Sequence, residues 1–321
     1  LVLTLIAILI AALVLLALVA SILPGVAVTV GVAGISVLVA LLAVAILASG
    51  ADATMLAVPI GPPGTWMHVT LDPLATSFLL LLFLVMPCAE AAPLPLAATA
   101  VTVLAGDGFT LAVGLLLLGG VSSLRVTAAA AVCLTVAFTV AGPGDFAALR
   151  ATPPEGWSAA LMLLLVLAAA GAMSRVSPAI AGYLVLRVLF DLCGVGQPLW
   201  WGVPLLVAGA AIAAIGSLRA ALADTLHTAV SAGSLHLFGM AAMALGVALF
   251  ARAVDLPSVT SQSLDAAWLA LVGNVLCRTL LLGCADATEN GAGTRRLDRL
   301  GGLIHRMPVT AGSCLVGLFA V

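Results

Sequence analysis

The sequence predicts an all-α, polytopic transmembrane helix bundle of about twelve spans, built as a single transmembrane domain over residues 1–321. Three observations predict the bundle. The chain is 64% hydrophobic and 7% charged, and it contains no lysine. Its apolar runs reach the roughly 20 residues that a bilayer-crossing helix needs. These runs are continuous in Leu, Ala and Val rather than alternating, so they read as helices and not as barrel strands.

The opening run, LVLTLIAILIAALVLLALVA, is apolar enough for a signal peptide but lacks a basic leading region, so it reads as a membrane helix near 1–19. Because the chain starts on Leu and ends at Val321 inside an apolar run, both ends are expected to continue in a longer protein. A second span falls near 25–49. The loop 50–73 follows, VPIGPPGTWMHVTLDPL over most of its length. Gly61, Pro62, Pro63 and Gly64 predict a turn, and WMHVTL alternates enough to form half of a short hairpin. Asp72 is placed to cap the third span, with Pro73 at its first helical position.

Further spans are expected near 74–89, 91–105, 107–124, 126–142, 158–173, 175–194, 199–220, 224–252, 265–284 and from 308 onward, the fourth and seventh being short. Glu90, bracketed by Pro87 and Pro93, reads as an interfacial residue at a helix break. All basic residues are arginines. Seven of them (Arg125, Arg175, Arg219, Arg295, Arg296, Arg299 and Arg306) fall after odd-numbered spans, while Arg150 and Arg252 fall after even-numbered ones. Positive-inside asymmetry then puts the N-terminus and the 50–73 loop outside and the 285–307 segment in the cytoplasm, in a bacterial inner membrane.

Soluble enzymes are excluded by composition. There is no dinucleotide fingerprint, P-loop or basic nucleic-acid patch, and nothing resembles a haem, iron–sulfur or flavin centre, so no cofactor, metal site or catalytic centre is expected. The six cysteines form no CxxC pair and read as small packing residues.

Chemistry concentrates in a few intramembrane groups. Arg187 and Asp191 are four apart on one helix and can pair, either as a relay element or as an intrahelical ion pair. Asp224 and His227, three apart, share a face, where the carboxylate favours the charged imidazole. His236 lies nine residues beyond His227, half a rotation away and roughly 13–14 Å along the axis, so the rings cannot exchange a proton directly on an unbroken helix. The intervening SAGS is a place where the helix can unwind. Arg278 sits mid-span four residues after Asn274, close enough to bond along one face. Asp224, His227, His236, Asn274 and Arg278 are thus the candidate proton relay. Neutral, hydrogen-bonded rings are the alternative.

Several passages resemble a known family. Val58–Leu84 (VPIGPPGTWMHVTLDPLATSFLLLLFL) is similar to the start of the third span in hydrogenase-4 component B proteins. These are relatives of the antiporter-like, proton-translocating subunits of complex I and Mrp antiporters. LAGDGF at Leu104–Phe109, GDFAALRA at Gly144–Ala151 and GTRRLDRLGGLIHRMPVTA at Gly293–Ala311 resemble further passages, the last being the most specific. The resemblance also shows departures. Gly114 stands where the family carries a fifth-span glutamate, the mid-membrane lysine with its broken-helix segment has no counterpart near Ala172–Met173, and His227 and His236 occupy lysine and acidic positions. Asn274 is kept and Arg278 approximates a lysine.

The resemblance implies an accessory or structural subunit of a larger energy-transducing complex, of hydrogenase-4 or NADH-quinone oxidoreductase type, with its proton path lost. One alternative is a proton- or cation-translocating subunit using Asp224, His227, His236 and Arg278. Another is a scaffold repurposed for a different photosynthetic or respiratory membrane complex. The expected partners are other integral membrane subunits and lipids, with quinone nearby and no nucleic acid.

Overall fold

The computed structural model describes residues 2–20, 25–50, 53–59, 61, 66–89, 92–142, 145–152, 154–193 and 197–319. Glu90, the turn residues Pro62, Pro63 and Gly64, and the side chain of Cys88 lie outside what it describes. The chain forms two compact units, Leu1–Gly194 and Val195–Val321.

Unit 1 begins with helices α1 (Val2–Val19) and α2 (Gly25–Ser49). Strands β1 (Thr54–Val58) and β2 (Met67–Leu71) then pair antiparallel, Thr54 opposite Leu71 and Val58 opposite Met67, which supplies the expected hairpin and its missing half. α3 (Pro73–Ala89) starts as the sequence dictates: Asp72 Oδ1 accepts from Ala75 N at 2.8 Å, and proline sits at the first position, where it forfeits no hydrogen bond. α4 (Pro93–Val103), α5 (Gly108–Leu118) and α6 (Gly120–Ala141) follow, then the short α7 (Phe146–Ala151), α8 (Gly156–Met173) and α9 (Pro178–Val185). α9 continues as a π-helical turn over Leu186–Leu192.

Two expectations are corrected here. The span expected over 107–124 ends at Leu118, and after the single turn residue Gly119 the chain re-enters helix at Gly120, six residues before the expected start of the sixth span at 126. α4 and α5, at 11 residues each, are about 16.5 Å long. The π-helical end of the 175–194 span was not foreseen; such insertions are rare and concentrate at functional positions.

Unit 2 holds a 3-10 turn over Leu199–Trp201, α10 (Gly202–Ala221), α11 (Leu226–Ala253), α12 (Pro257–Ala292), the short α13 (Leu303–Arg306) and α14 (Pro308–Phe319). α10 packs against α11 through glycines. A Cβ on Gly202 would lie 2.6 Å from the Gly246 carbonyl, and one on Gly209 2.7 Å from Met243 N, so close backbone approach here depends on hydrogen in place of a side chain. α12 starts eight residues earlier and ends eight later than the expected 265–284 span. Its 36 residues make about 54 Å of helix, well beyond the roughly 30 Å hydrocarbon core, so its polar ends stand clear of the membrane interior. Gly293, with φ of 67°, closes it in the left-handed conformation that glycine adopts without strain.

Among the described residues, six helices are long and apolar enough to cross a membrane, and five shorter apolar helices accompany them. Together with α9 and its π-turn, every one of the twelve expected segments is helical. The chain is a multi-pass membrane protein.

Candidate functional site

Two polar constellations stand out, one in each unit. In unit 1 the three passages singled out in the sequence come together. The turn between α4 and α5 is stitched to β2, with Thr70 N donating to Leu104 O and Gly106 N to His68 O, both at 2.7 Å. Gly106 leaves no room for a side chain, since a Cβ would lie 2.6 Å from Thr70 Cγ2. Asp107 caps α5, accepting from Thr110 N at 2.6 Å and Thr110 Oγ1 at 2.7 Å, while its other role is to accept from His68 N at 2.6 Å. Asp107 and Asp145 form an isolated bridge that brings α7 alongside.

Four charges gather beside this junction. Arg187 is fully buried and donates to Asp72, pairs with Asp191 at 2.9 Å, and reaches Thr70 Oγ1 at 3.1 Å. Its guanidinium lies 5.4 Å from the centroid of the Phe146 ring. Arg150, from α7, donates to Asp191 at 2.6 and 3.1 Å and approaches Asp72 at 3.4 Å. The Arg187–Asp191 pair is therefore present as expected, but it is half of a two-arginine, two-aspartate cluster. From the sequence Asp72 reads only as a cap and Arg150 only as a loop residue. The signal that could have found them is connectivity: Asp72 and Arg150 both fall in connections after even-numbered spans, the side on which the 175–194 span also ends.

In unit 2 α11 is continuous from Leu226 to Ala253, so SAGS does not unwind and the two histidines point to opposite sides. His227 Nε2 lies 2.8 Å from Asp286 Oδ1 on α12. This corrects the expected Asp224–His227 pair. Asp224 sits before the helix and is exposed, and its carbonyl accepts from Leu297 N at 2.9 Å. Thr225 is the residue that caps α11, in a capping box with Thr228. His236 Nδ1 lies 3.0 Å from Ala213 O on α10. It sits where Gly216 lets the helices touch, a Cβ there falling 2.5 Å from His236 N.

Asn274 and Arg278 are brought together through a residue that the sequence analysis did not single out. Ser234 Oγ donates to Asn274 Oδ1 at 2.6 Å, Asn274 Nδ2 donates to Ser234 O at 2.9 Å, and Arg278 Nη1 lies 3.4 Å from Ser234 Oγ. Ser234 and Asn274 are both buried. His227, Ser231 and Ser234 follow one another at spacings of four and three on one face of α11; His227 and Ser234 reach α12, while Ser231 is exposed. Of the five candidate relay residues, His227, Asn274 and Arg278 thus line one seam, while His236 and Asp224 lie off it.

No protein-family model matches the chain. Among solved structures, a chain of the Mrp complex from a Dietzia species superposes with a TM-score of 0.75 at 20% identity, covering 95% of this chain and 40% of that one. A chain of respiratory complex I from Thermus thermophilus superposes with a TM-score of 0.70 at 17% identity, covering 97% and 78%. The fold is that of the antiporter-like membrane subunits. By sequence, the chain is a relative of hydrogenase-4 component B of Escherichia coli, 31% identical over 154 residues. That match spans 48% of this chain and 23% of the relative. The resemblance read from the sequence is borne out.

Proposed function

We propose that the chain is an antiporter-like membrane subunit of a larger energy-transducing complex, of hydrogenase-4 or NADH-quinone oxidoreductase type, that contributes packing and no complete proton path of its own. The observation that carries this reading is in unit 2. Beyond His236, α11 runs Leu237–Ala251 without a polar side chain, α12 offers only the Trp268 indole between Ala266 and Gly273, and α10 is apolar from Gly202 to Gly216. A proton entering the seam at His227 meets no titratable group on these helices over about 22 Å of α11, and a charge crossing that distance unaided costs several kcal/mol.

Unit 1 gives further support. At Gly114, where the resemblance implies a glutamate, a Cβ would lie 2.8 Å from both the Cα and N of Thr102. No carboxylate fits there without parting α4 from α5. The partners are other integral membrane subunits, with lipid or quinone alongside, in a bacterial inner membrane.

A second reading, translocation along the α11–α12 seam, is favoured by the His227–Asp286 contact and by the Ser234 hydroxyl that joins Asn274 and Arg278 further along it. Proton uptake by vesicles carrying the intact complex separates the two. His227→Gln, which keeps hydrogen bonding without a titratable ring, leaves uptake and assembly unchanged if the chain is a packing subunit. Lost uptake with normal assembly establishes the translocating reading instead. An unrelated membrane complex encoded next to this gene would favour a repurposed scaffold.

The orientation completes the proposal, with the N-terminus outside and the 285–307 segment cytoplasmic. Thiol labelling of Pro62→Cys and Gly293→Cys from opposite sides of the membrane is expected. Labelling of both from one side refutes it.

A further inference from the structure

We infer that unit 2 carries a binding site for one anionic phospholipid, with an acyl chain held inside the protein and the headgroup on arginines of the 293–307 segment. The site is a cavity of about 230 Å³ whose lining includes Leu226, Leu297, Leu300, Leu303, Met307 and Cys314. It lies among the start of α11, the end of α12, the connecting segment and α14. Almost all of its wall is apolar, so water gains little there and hydrocarbon is the matching occupant.

The connecting segment supplies the second half of the site. Residues 293–307 carry four arginines against one aspartate. Leu297, Leu300, Leu303 and Met307 line the cavity, while Arg295, Arg296, Arg299, His305 and Arg306 are all exposed. That division is an amphipathic strip of the kind that settles at the boundary of headgroups and acyl chains. Two of the arginines are already engaged: Arg295 with Glu289 at 2.5 Å and Arg296 with Asp298 at 2.9 Å. Among the described residues, Arg299 and Arg306 have no ion pair. Two unneutralised guanidiniums on the segment that lines an apolar cavity, each next in sequence to a lining residue (Leu300 and Met307), match a phosphate head and a hydrocarbon tail, and basic pockets between membrane helices select such lipids.

Cys314 lines the cavity and Cys133 lies in unit 1, both half-buried, so the native thiols report occupancy and supply a control. The full protein, delipidated in a non-ionic detergent, is titrated with dioleoylphosphatidylglycerol or dioleoylphosphatidylcholine. N-ethylmaleimide labelling of each cysteine is then followed by peptide mass spectrometry. Phosphatidylglycerol is expected to slow labelling of Cys314 at least fivefold and leave Cys133 unchanged, with phosphatidylcholine protecting only at much higher concentration. A basic side chain at an anionic surface contributes about 1 kcal/mol, which is roughly fivefold in concentration. Arg299→Gln or Arg306→Gln should therefore each raise the half-protecting concentration about fivefold, and both together about 25-fold. Equal protection by the two lipids overturns the headgroup assignment. Cys314 already shielded in delipidated protein, and insensitive to either arginine substitution, means that protein fills the cavity and overturns the site.

Discussion

Replacing Arg187 by Gln tests whether the four-charge cluster holds unit 1 together. Arg187 is 0% exposed, while Asp72 and Asp191 have side chains 11% and 30% exposed. Glutamine can still donate one or two hydrogen bonds, but two carboxylates are left sharing the single guanidinium of Arg150. Removing one partner of a buried pair costs about 3–5 kcal/mol. The lower end applies, because Asp191 retains water and Arg150 stays 2.6 Å from it. Arg150 itself is 37% exposed, and Arg150→Gln should cost no more than about 1 kcal/mol. For a unit of this size, about 2–4 °C in melting temperature accompanies each kcal/mol. The expected drop is therefore about 6–12 °C for Arg187→Gln and under about 4 °C for Arg150→Gln, measured by thermal melting of the detergent-purified protein. Asp72→Asn combined with Arg187→Gln should lose less than the two losses summed, since the residues share one contact. Equal drops for the two arginines, or an additive double variant, would refute the assignment of Arg187 as the buried anchor.

Gly114→Leu should reduce the yield of folded protein, since overpacking of a tight helix contact costs about 1–3 kcal/mol. Gly34→Ala, where a Cβ meets nothing within 4 Å, serves as the harmless control. The Arg296–Asp298 pair gives a pH signature. The side-chain hydrogen bond from Arg296 holds the Asp298 carboxyl below its usual range. A lowered folded pKa contributes order above the unfolded value of about 3.9 and loses it as pH falls through the folded one. Hydrogen exchange in residues 296–300 is accordingly expected to show constant protection from pH 7 to 5 and a loss only below about pH 4. Loss at pH 5 to 6 would contradict the pairing.

The membrane helices were legible because hydrocarbon thickness imposes a length and a continuity that composition alone displays. The Asp72 cap and the hairpin at WMHVTL were legible too, since both follow from local geometry. What escaped was tertiary. Asp286 lies eight residues past Arg278, beyond the expected 265–284 span; only the length of α12 places it opposite His227. Asp224 looked the better partner at three residues' distance, but Thr225 takes the cap position and leaves Asp224 outside the helix. Ser234 drew no notice because a lone serine in a membrane helix usually bonds its own preceding turn, whereas here it bridges to Asn274. The π-turn at Leu186–Leu192 has no reliable sequence signal.

The cluster in unit 1 also bears on how the short helices count. At about 16.5 Å each, α4 and α5 cannot be judged as crossings by length. Connectivity judges them instead. The chain leaves Asp72 through α3 and returns through α4 to Leu104, whose carbonyl accepts from Thr70 N. It leaves again through α5 and returns through α6 to Asp145, which bridges Asp107. It leaves once more after Arg150 through α8 and returns through α9 and the π-turn to Arg187 and Asp191, which bind Asp72 and Arg150. Three excursions start and end at one place, so each pair of helices carries the chain away and back, whatever its individual length. Unit 2 repeats the pattern on a smaller scale: α11 leaves from Asp224 and Thr225, and α12 returns to Arg296 and Leu297, which bond to them. Within each unit the polar connections that meet are those that a strictly alternating chain would put on one side. Miscounting one helix in unit 1 would place a residue of this cluster on the opposite side of the membrane, beyond reach of the charges it is seen to pair with.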